Sequence, residues 1–185
     1  KYNDGSHKNR LVLAQRLADG MKQAFDSTHK FTVQPSDLRW SVMPVALPLA
    51  NHLDVAKLKA DLSKVSVPPL AVPAAERLAF MQRSRSGHKT DLPHQAVGDV
   101  RVLHMPGELF VEYQLAAKRM RPKLNVAMAA YGDYGPFYIG TERAYSEGGY
   151  ETQPRSSSVG PVVEAVLMTG IRKLLSGNWP QIISY

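Results

Sequence analysis

The sequence predicts an α/β fold in which a mixed sheet is flanked by helices. Residues 8–25 and 161–175 repeat apolar side chains at the spacing of three and four residues that is typical of helices. Between them, short apolar runs at 97–105 and 125–130 have the length of strands and are separated by another helical segment. Strands that alternate with helices favour a sheet with helices packed on it.

The first half of the chain is predicted to be mostly helical. The helix at 8–25 begins after Asp4 or Ser6, and either side chain can cap it. Residues 37–49 are predicted to be extended, because apolar and polar side chains alternate there. Three further segments complete this half: a short helix at 53–63, a proline-rich linker at 65–73 and a helix at 74–85.

The second half is predicted to carry most of the sheet. A strand at 97–105 ends at the turn signal Pro106-Gly107. A helix at 108–120 follows and is opened by Glu108, whose carboxylate suits the positive end of the helix dipole. The remaining segments are a buried strand at 125–130, a tyrosine-rich loop and a last helix from about Gly160-Pro161 to Leu175.

The composition fits a single globular domain over residues 1–185. Hydrophobic residues make up 44% of the chain and charged residues 21%. Cysteine is absent, which excludes disulfides, thiolate zinc sites and cysteine nucleophiles. No apolar run reaches the ~20 residues of a membrane span, so we expect no transmembrane segment. The first residues enter a helix without a preceding strand, and we therefore expect the chain to be the later part of a larger catalytic domain.

Motifs of a self-contained enzyme are not visible in the sequence. None of the six histidines lies in an HExxH pair, and the nucleophile elbow, the phosphate-binding loop and the dinucleotide fingerprint are all missing. His94 and His104 flank a predicted strand, where packing is favoured over metal ligation. The other four histidines lie among polar residues and are predicted to be on the surface.

Five of the eight tyrosines lie between residues 131 and 150. Glycines and Pro136 are interleaved with them, and both residue types weaken helices and strands. The segment therefore predicts a long ordered loop, and long loops in compact domains are often functional. Each phenol can donate a hydrogen bond, accept one or ligate a metal. A packed structural loop is the alternative.

A second candidate feature is the sequence His104-Met105-Pro106-Gly107-Glu108. It puts a carboxylate at the corner where a strand ends, and ligands gather at such corners in α/β sheets. Taken alone, Glu108 is better explained as a residue that opens a helix.

Taken together and in order, these features resemble a known family. A PGE turn, a helix, an Ala-rich strand, Tyr-Ile-x-Thr and Tyr-Glu are similar to the later part of the catalytic domain of neutral/alkaline ceramidases, over roughly Val102 to Glu151. The resemblance implies that Glu108 and Tyr138 are zinc ligands. It also implies that Tyr150 faces the substrate amide, whereas Tyr134 and Tyr145 are expected to hold the loop in shape.

The resemblance further implies a zinc-dependent hydrolysis of an N-acyl amide, such as ceramide to sphingosine and fatty acid. The family's two zinc histidines and its serine come from the N-terminal half of the same catalytic domain, which is therefore the expected partner. Gly140 stands where the larger enzymes have a small polar residue, and we expect no immunoglobulin-like domain to follow. For the full-length protein we expect a secreted or periplasmic location and a lipid-like amide substrate.

Two alternatives remain. The net charge of +7 supports a non-catalytic module whose basic surface binds nucleic acid or acidic lipid. The other alternative is a structural interaction domain with a degenerate site. The densest basic run lies near a predicted helix end, where cations are favoured for structural reasons: Lys118, Arg119, Arg121 and Lys123. Aromatic residues are not interleaved with this run, so nucleic-acid binding is not expected.

Overall fold

The computed structural model describes residues 4–133 and 135–177, without the side chains of residues 68–70. Two compact units divide the chain, Lys1–Val33 and Gln34–Tyr185. Within the described residues, no helix combines the length and the apolar character that a membrane span needs.

The first unit contains one long helix, α1 (His7–Asp26). It begins as predicted, because the Ser6 side chain accepts a hydrogen bond from the backbone N–H of Asn9 at 3.2 Å. Its apolar stripe includes Leu17 and Met21, which expose 67% and 65% of their surface. No residue of α1 is buried, so within its own unit the helix is stabilised by its cap and by local pairs rather than by a core.

The second unit is built on a mixed four-stranded sheet of order β1-β2-β3-β5. Its strands are β1 (Leu38–Val45), β2 (Thr90–Val97), β3 (Val100–His104) and β5 (Asn125–Ala129). The first three strands pair antiparallel, and β3 pairs with β5 in parallel. The predicted fold class, a mixed sheet flanked by helices, is therefore confirmed.

Two short strands form a separate parallel pair, β4 (Glu108–Leu109) and β6 (Tyr138–Ile139). In this pair Glu108 is the register partner of Tyr138. The pair lies beyond the carboxyl ends of β3 and β5, and it is the element on which the candidate site depends.

Helices pack against the sheet and enclose the core. Those of the second unit are α2 (Val55–Lys64), α3 (Pro68–Arg85), α4 (Val111–Met120), α5 (Glu142–Glu147) and α6 (Val163–Leu175). The main core joins one face of the sheet to α4 and α6, and its fully buried side chains include Leu103, Tyr113, Leu167 and Ile171. This packing fixes the ends of β3 and β5, from which the loops of the site leave.

Several predictions about elements in this unit were wrong. The tyrosine-rich segment at 131–150 is not one long loop, because it contains β6 and α5. The proline-rich segment at 65–73 is not a linker, because α3 already begins at Pro68 and contains Pro73. Proline is tolerated at the start of a helix, where backbone N–H groups have no intrahelical partner. The strand β2 was not predicted, and the strand expected at 97–105 is the shorter β3. Glu108 does not open a helix but lies in β4, and α4 begins three residues later at Val111.

Other predicted elements are present with small shifts of their ends. The extended segment at 37–49 contains β1, in which Pro44 stands on an outer strand of the sheet. Lys118 and Arg119 occupy the last turn of α4, as the structural reading of the basic run predicted. The strand at 125–130 is β5, and the last helix is α6.

His94 is a buried residue of β2 with no exposed surface, as the packing interpretation predicted. Its Nδ1 atom lies 3.1 Å from the Ser41 hydroxyl oxygen, across the β1–β2 pair. Burial, together with the nearby charges of Arg101 and His104, lowers the pKa of His94 from 6.5 to about 4.

Acid should therefore destabilise the fold through His94. The ordinary histidine pKa of 6.5 lies above the folded value of about 4, so between these limits the unfolded chain binds more protons than the native one. The contribution of neutral His94 to the stability of the fold is complete above pH 6.5 and is lost as the pH falls towards 4. We expect a loss of up to about 3 kcal/mol in the free energy of unfolding, measured by urea denaturation.

His94→Gln is the matched control, because the amide keeps a polar group beside Ser41 but does not titrate. The difference in unfolding free energy between pH 7 and pH 4 should be smaller in this variant than in the native chain. An equal difference in both proteins would show that other groups cause the acid sensitivity.

Candidate functional site

The β4–β6 pair brings two of the three predicted site residues together. Glu108 and Tyr138 are register partners, so their side chains leave neighbouring strands side by side. The Tyr138 hydroxyl donates a hydrogen bond to the Glu108 carboxylate. This hydrogen bond, together with the negative charge of the carboxylate, raises the pKa of Tyr138 above its ordinary value of 10.0.

The third predicted residue, Tyr150, stands against this pair. Its ring centroid lies 6.0 Å from that of Tyr138, and the rings meet edge to face at 76°. Such an arrangement is favourable for aromatic pairs because a positive ring edge meets a negative ring face. Tyr150 exposes 54% of its surface, so its phenol is open to solvent and to a substrate.

The turn before Glu108 determines where its carboxylate lies. Gly107 has a φ of +61°, in the left-handed region. A Cβ atom at this position would lie 2.4 Å from the carbonyl oxygen of Phe137. Glycine is therefore required twice here, for the backbone angle and for the close approach of the loop that carries Tyr138.

Four backbone hydrogen bonds join this turn and Glu108 to the loop after β5, one of them from the Gly132 N–H to the Met105 carbonyl at 3.0 Å. Gly107 donates its N–H to the Asp133 carbonyl at 3.1 Å and accepts from the Tyr131 N–H at 2.8 Å. Glu108 donates its N–H to the Phe137 carbonyl at 2.8 Å. The two loops are therefore held in one fixed register.

The loop after β5 carries backbone strain at both ends. Tyr131 and Phe137 have φ values of 64° and 57°, which non-glycine residues rarely adopt. Strained residues persist where the surrounding structure determines them, and they cluster at functional sites. At the first of these positions, the Tyr131 hydroxyl donates to the Glu108 Oε2 atom at 3.5 Å.

Tyr145 supports the site from behind, in the role predicted for it. Its hydroxyl lies 2.8 Å from the Ser157 Oγ atom, which in turn donates to the Tyr138 carbonyl at 2.8 Å. Ser157 exposes only 1% of its surface. The backbone of β6 is thereby anchored to the segment that follows Tyr150. Tyr134, which was predicted to share this role, lies outside the described residues.

Two arginines complete the surroundings of the tyrosines, and sequence reasoning missed both. The Arg155 guanidinium lies over the Tyr150 ring, 5.1 Å from its centroid. Arg77 lies over the Phe137 ring at 4.8 Å, and its guanidinium donates to the Arg155 carbonyl. Arg77 therefore connects α3 to both loops of the site. The five-residue separation of Tyr150 and Arg155 did not predict their contact, because the residues between them form irregular turns rather than a helix or a strand.

The donor atoms of the site are oxygens. Glu108 offers a carboxylate and Tyr138 a phenol, and both are oxygen ligands that zinc accepts. Among residues 4–133 and 135–177, no group of three or more His, Cys, Asp or Glu side chains could hold a metal ion. Glu108 and Tyr138 therefore place two oxygen donors side by side.

Comparison with known proteins gave matches among solved structures alone. No family model matches the chain, and no curated protein matches it. The chain is similar to the neutral ceramidase of Pseudomonas aeruginosa at 18% sequence identity and a TM-score of 0.43, over 53% of this chain and 17% of that one. It is also similar to a ceramidase complexed with C2, at 18% identity and a TM-score of 0.44, over 53% of this chain and 16% of that one.

The chain spans less than a fifth of the length of these ceramidases. Similarity at this level does not establish a family or an activity, so the interpretation of the site depends on its own geometry.

Replacing Gly107 should damage the site and the fold together. In Gly107→Ala, the left-handed backbone angle and the approach to Phe137 become unfavourable at once, and we expect a loss of roughly 2–4 kcal/mol of unfolding free energy. Gly87→Ala is the matched control, since Gly87 also has a positive φ of 88° but a Cβ there would meet no atom within 4 Å. Equal losses in the two variants would show that the contact with Phe137 is unimportant.

The Tyr138–Glu108 hydrogen bond can be tested by titration. Difference spectra between the native chain and Tyr138→Phe isolate the ionisation of Tyr138, which should occur above the ordinary tyrosine pKa. In Glu108→Gln the charge is removed, so the pKa of Tyr138 should fall back towards its ordinary value. An unchanged titration in Glu108→Gln would mean that the two side chains do not interact in solution.

Proposed function

We propose that this chain is the C-terminal part of a zinc-dependent amidohydrolase of the neutral ceramidase type. The proposal depends on one observation. Glu108, Tyr138 and Tyr150 lie close together, although Glu108 and Tyr150 are 42 positions apart in the sequence (150 − 108). The sequence singled them out, and they form one exposed cluster at the β4–β6 pair.

In this proposal Glu108 and Tyr138 are two of the zinc ligands. Their side chains are neighbours, and the Tyr138 hydroxyl donates a hydrogen bond to the Glu108 carboxylate. Zinc held by both residues would displace the phenol proton of Tyr138, because a metal lowers the pKa of an acid that it binds. The Glu108 carboxylate offsets part of the positive charge. The remaining ligands come from the N-terminal half of the same catalytic domain, as the resemblance implies. Among the described residues, no group of three His, Cys, Asp or Glu side chains could hold the ion without them.

Zinc, when bound, supplies a Lewis acid that activates water for attack on an amide carbonyl. The chain's own contribution to that attack is Tyr150. Its neutral phenol donates a hydrogen bond to the oxygen on which negative charge develops, as donors of oxyanion holes do. Tyr138 positions the Tyr150 ring by the edge-to-face contact, and the cation of Arg155 lies over the other part of that ring.

The substrate class in this proposal is an N-acyl amide, with ceramide as the candidate. The cluster is open to solvent rather than enclosed, because Tyr150 is half exposed. A long amide-bearing molecule can therefore reach it from the surface. The acyl chain is bound by other parts of the catalytic domain.

Zinc content distinguishes the ligands from the substrate-facing phenol. In the full-length protein, Glu108→Ala and Tyr138→Phe should each lower the affinity for zinc by at least about tenfold, measured by competition with a chelator. Tyr150→Phe should keep its zinc and lower kcat by roughly 100-fold or more, because it removes a donor used in the transition state.

Tyr131→Phe is the matched control for loss of a phenol at the site, since its hydroxyl reaches Glu108 only at 3.5 Å. It should retain zinc. Native zinc affinity in both Glu108→Ala and Tyr138→Phe would remove these residues from the ligand set. Robust amide hydrolysis by the 185-residue chain alone would contradict a site divided between two halves.

A further inference from the structure

A separate cavity of about 450 Å³ lies on the other side of the Met105–Gly107 turn. Its walls come from β1, β2, the carboxyl end of β3 and the segment after β5. Its volume is in the range of small-molecule sites, and ligands commonly bind outside the carboxyl ends of parallel strands. None of its lining residues is Glu108, Tyr138 or Tyr150, so the cavity is not part of the site described above.

Two rings form its apolar wall. The Trp40 and His104 ring centroids are 5.6 Å apart, with their planes tilted by 48°. Trp40 exposes 48% of its surface, which is unusual for so large an apolar side chain in a strand. The indole therefore offers a flat apolar platform at the mouth of the cavity.

The charges around this platform are balanced. Arg83 and Lys89 contribute two cations, and Asp91 and Asp133 contribute two carboxylates. Arg83 and Asp133 lie 4.0 Å apart, so they partly neutralise each other without closing the cavity. A bare anion would meet the two carboxylates, and a bare cation would meet the two basic groups. The lining is suited to a neutral ligand that both donates and accepts hydrogen bonds.

His104 lines the cavity, but its Nε2 atom is buried and makes no hydrogen bond within the described residues. The ring therefore contributes packing surface beside Trp40 rather than a hydrogen-bonding group.

We propose that this cavity binds a neutral polyhydroxylated ligand of one or two sugar rings. The C–H face of the sugar packs on Trp40. Its hydroxyls donate to Asp91 and Asp133 and accept from Arg83 and Lys89. The proposal is independent of the zinc site, since no ligand of that site takes part.

Binding can be measured directly on the chain by protein-observed NMR with methyl β-glucoside, N-acetylglucosamine and lactose. We expect saturable shifts at the amides of Gly132 and Asp133 with a dissociation constant of about 1 mM for at least one of these sugars, typical of a small neutral ligand. Trp40→Ala should weaken binding by at least about tenfold, and Trp40→Phe should retain part of it, because a ring remains as a platform.

Asp133→Asn tests the polar contacts and should weaken binding about fivefold to tenfold, while Asp61→Asn, on the exposed face of α2, should leave it unchanged. Circular dichroism of each variant confirms that the fold is retained. No saturable shift with any of the three sugars, or sugar binding that survives Trp40→Ala in a folded protein, would overturn the proposal. Saturable shifts of the same amides with phosphate or glycine betaine, when none of the sugars causes a shift, would also overturn the proposal. The ligand would then be charged or zwitterionic.

Discussion

The site depends on the contact between the Met105–Gly107 turn and the loop that follows β5. Only a glycine allows the turn to approach the Phe137 carbonyl so closely, and the N–H groups of Gly107 and Glu108 then bond to that loop. This contact creates the parallel pair of β4 and β6. Without it, Glu108 and Tyr138 would leave separate loops and would not share a hydrogen bond.

The sequence predicted the residues of the cluster more accurately than it predicted the strands and helices on which they lie. Glu108, Tyr138 and Tyr150 were identified by the resemblance of their motifs to those of the ceramidases. Their proximity is what the structure shows, even though Glu108 was assigned to a helix and lies in a strand. A two-residue strand has no periodicity of its own, so it cannot be read from a pattern of apolar and polar residues.

Residues that depend on long-range packing could not be predicted in this way. Arg155 and Arg77 acquire their roles only because irregular turns and α3 bring them over aromatic rings. The proline-rich start of α3 was read as a linker because local propensity disfavours a helix there, whereas the N-terminal turn of a helix tolerates proline. His94 could be recognised as a packed residue, but its partner Ser41 follows from strand register, which requires knowledge of β2.

Pro44 has a consequence for how the protein behaves in a concentrated solution. It stands in β1, an outer strand of the main sheet, where an exposed row of backbone groups invites the strand of another molecule. Proline has no N–H to offer and is tolerated in outer strands where that missing donor faces away from the ladder. Pro44 thus disfavours pairing of this edge strand with a strand of another molecule. This effect on self-association is separate from any chemistry that the protein performs.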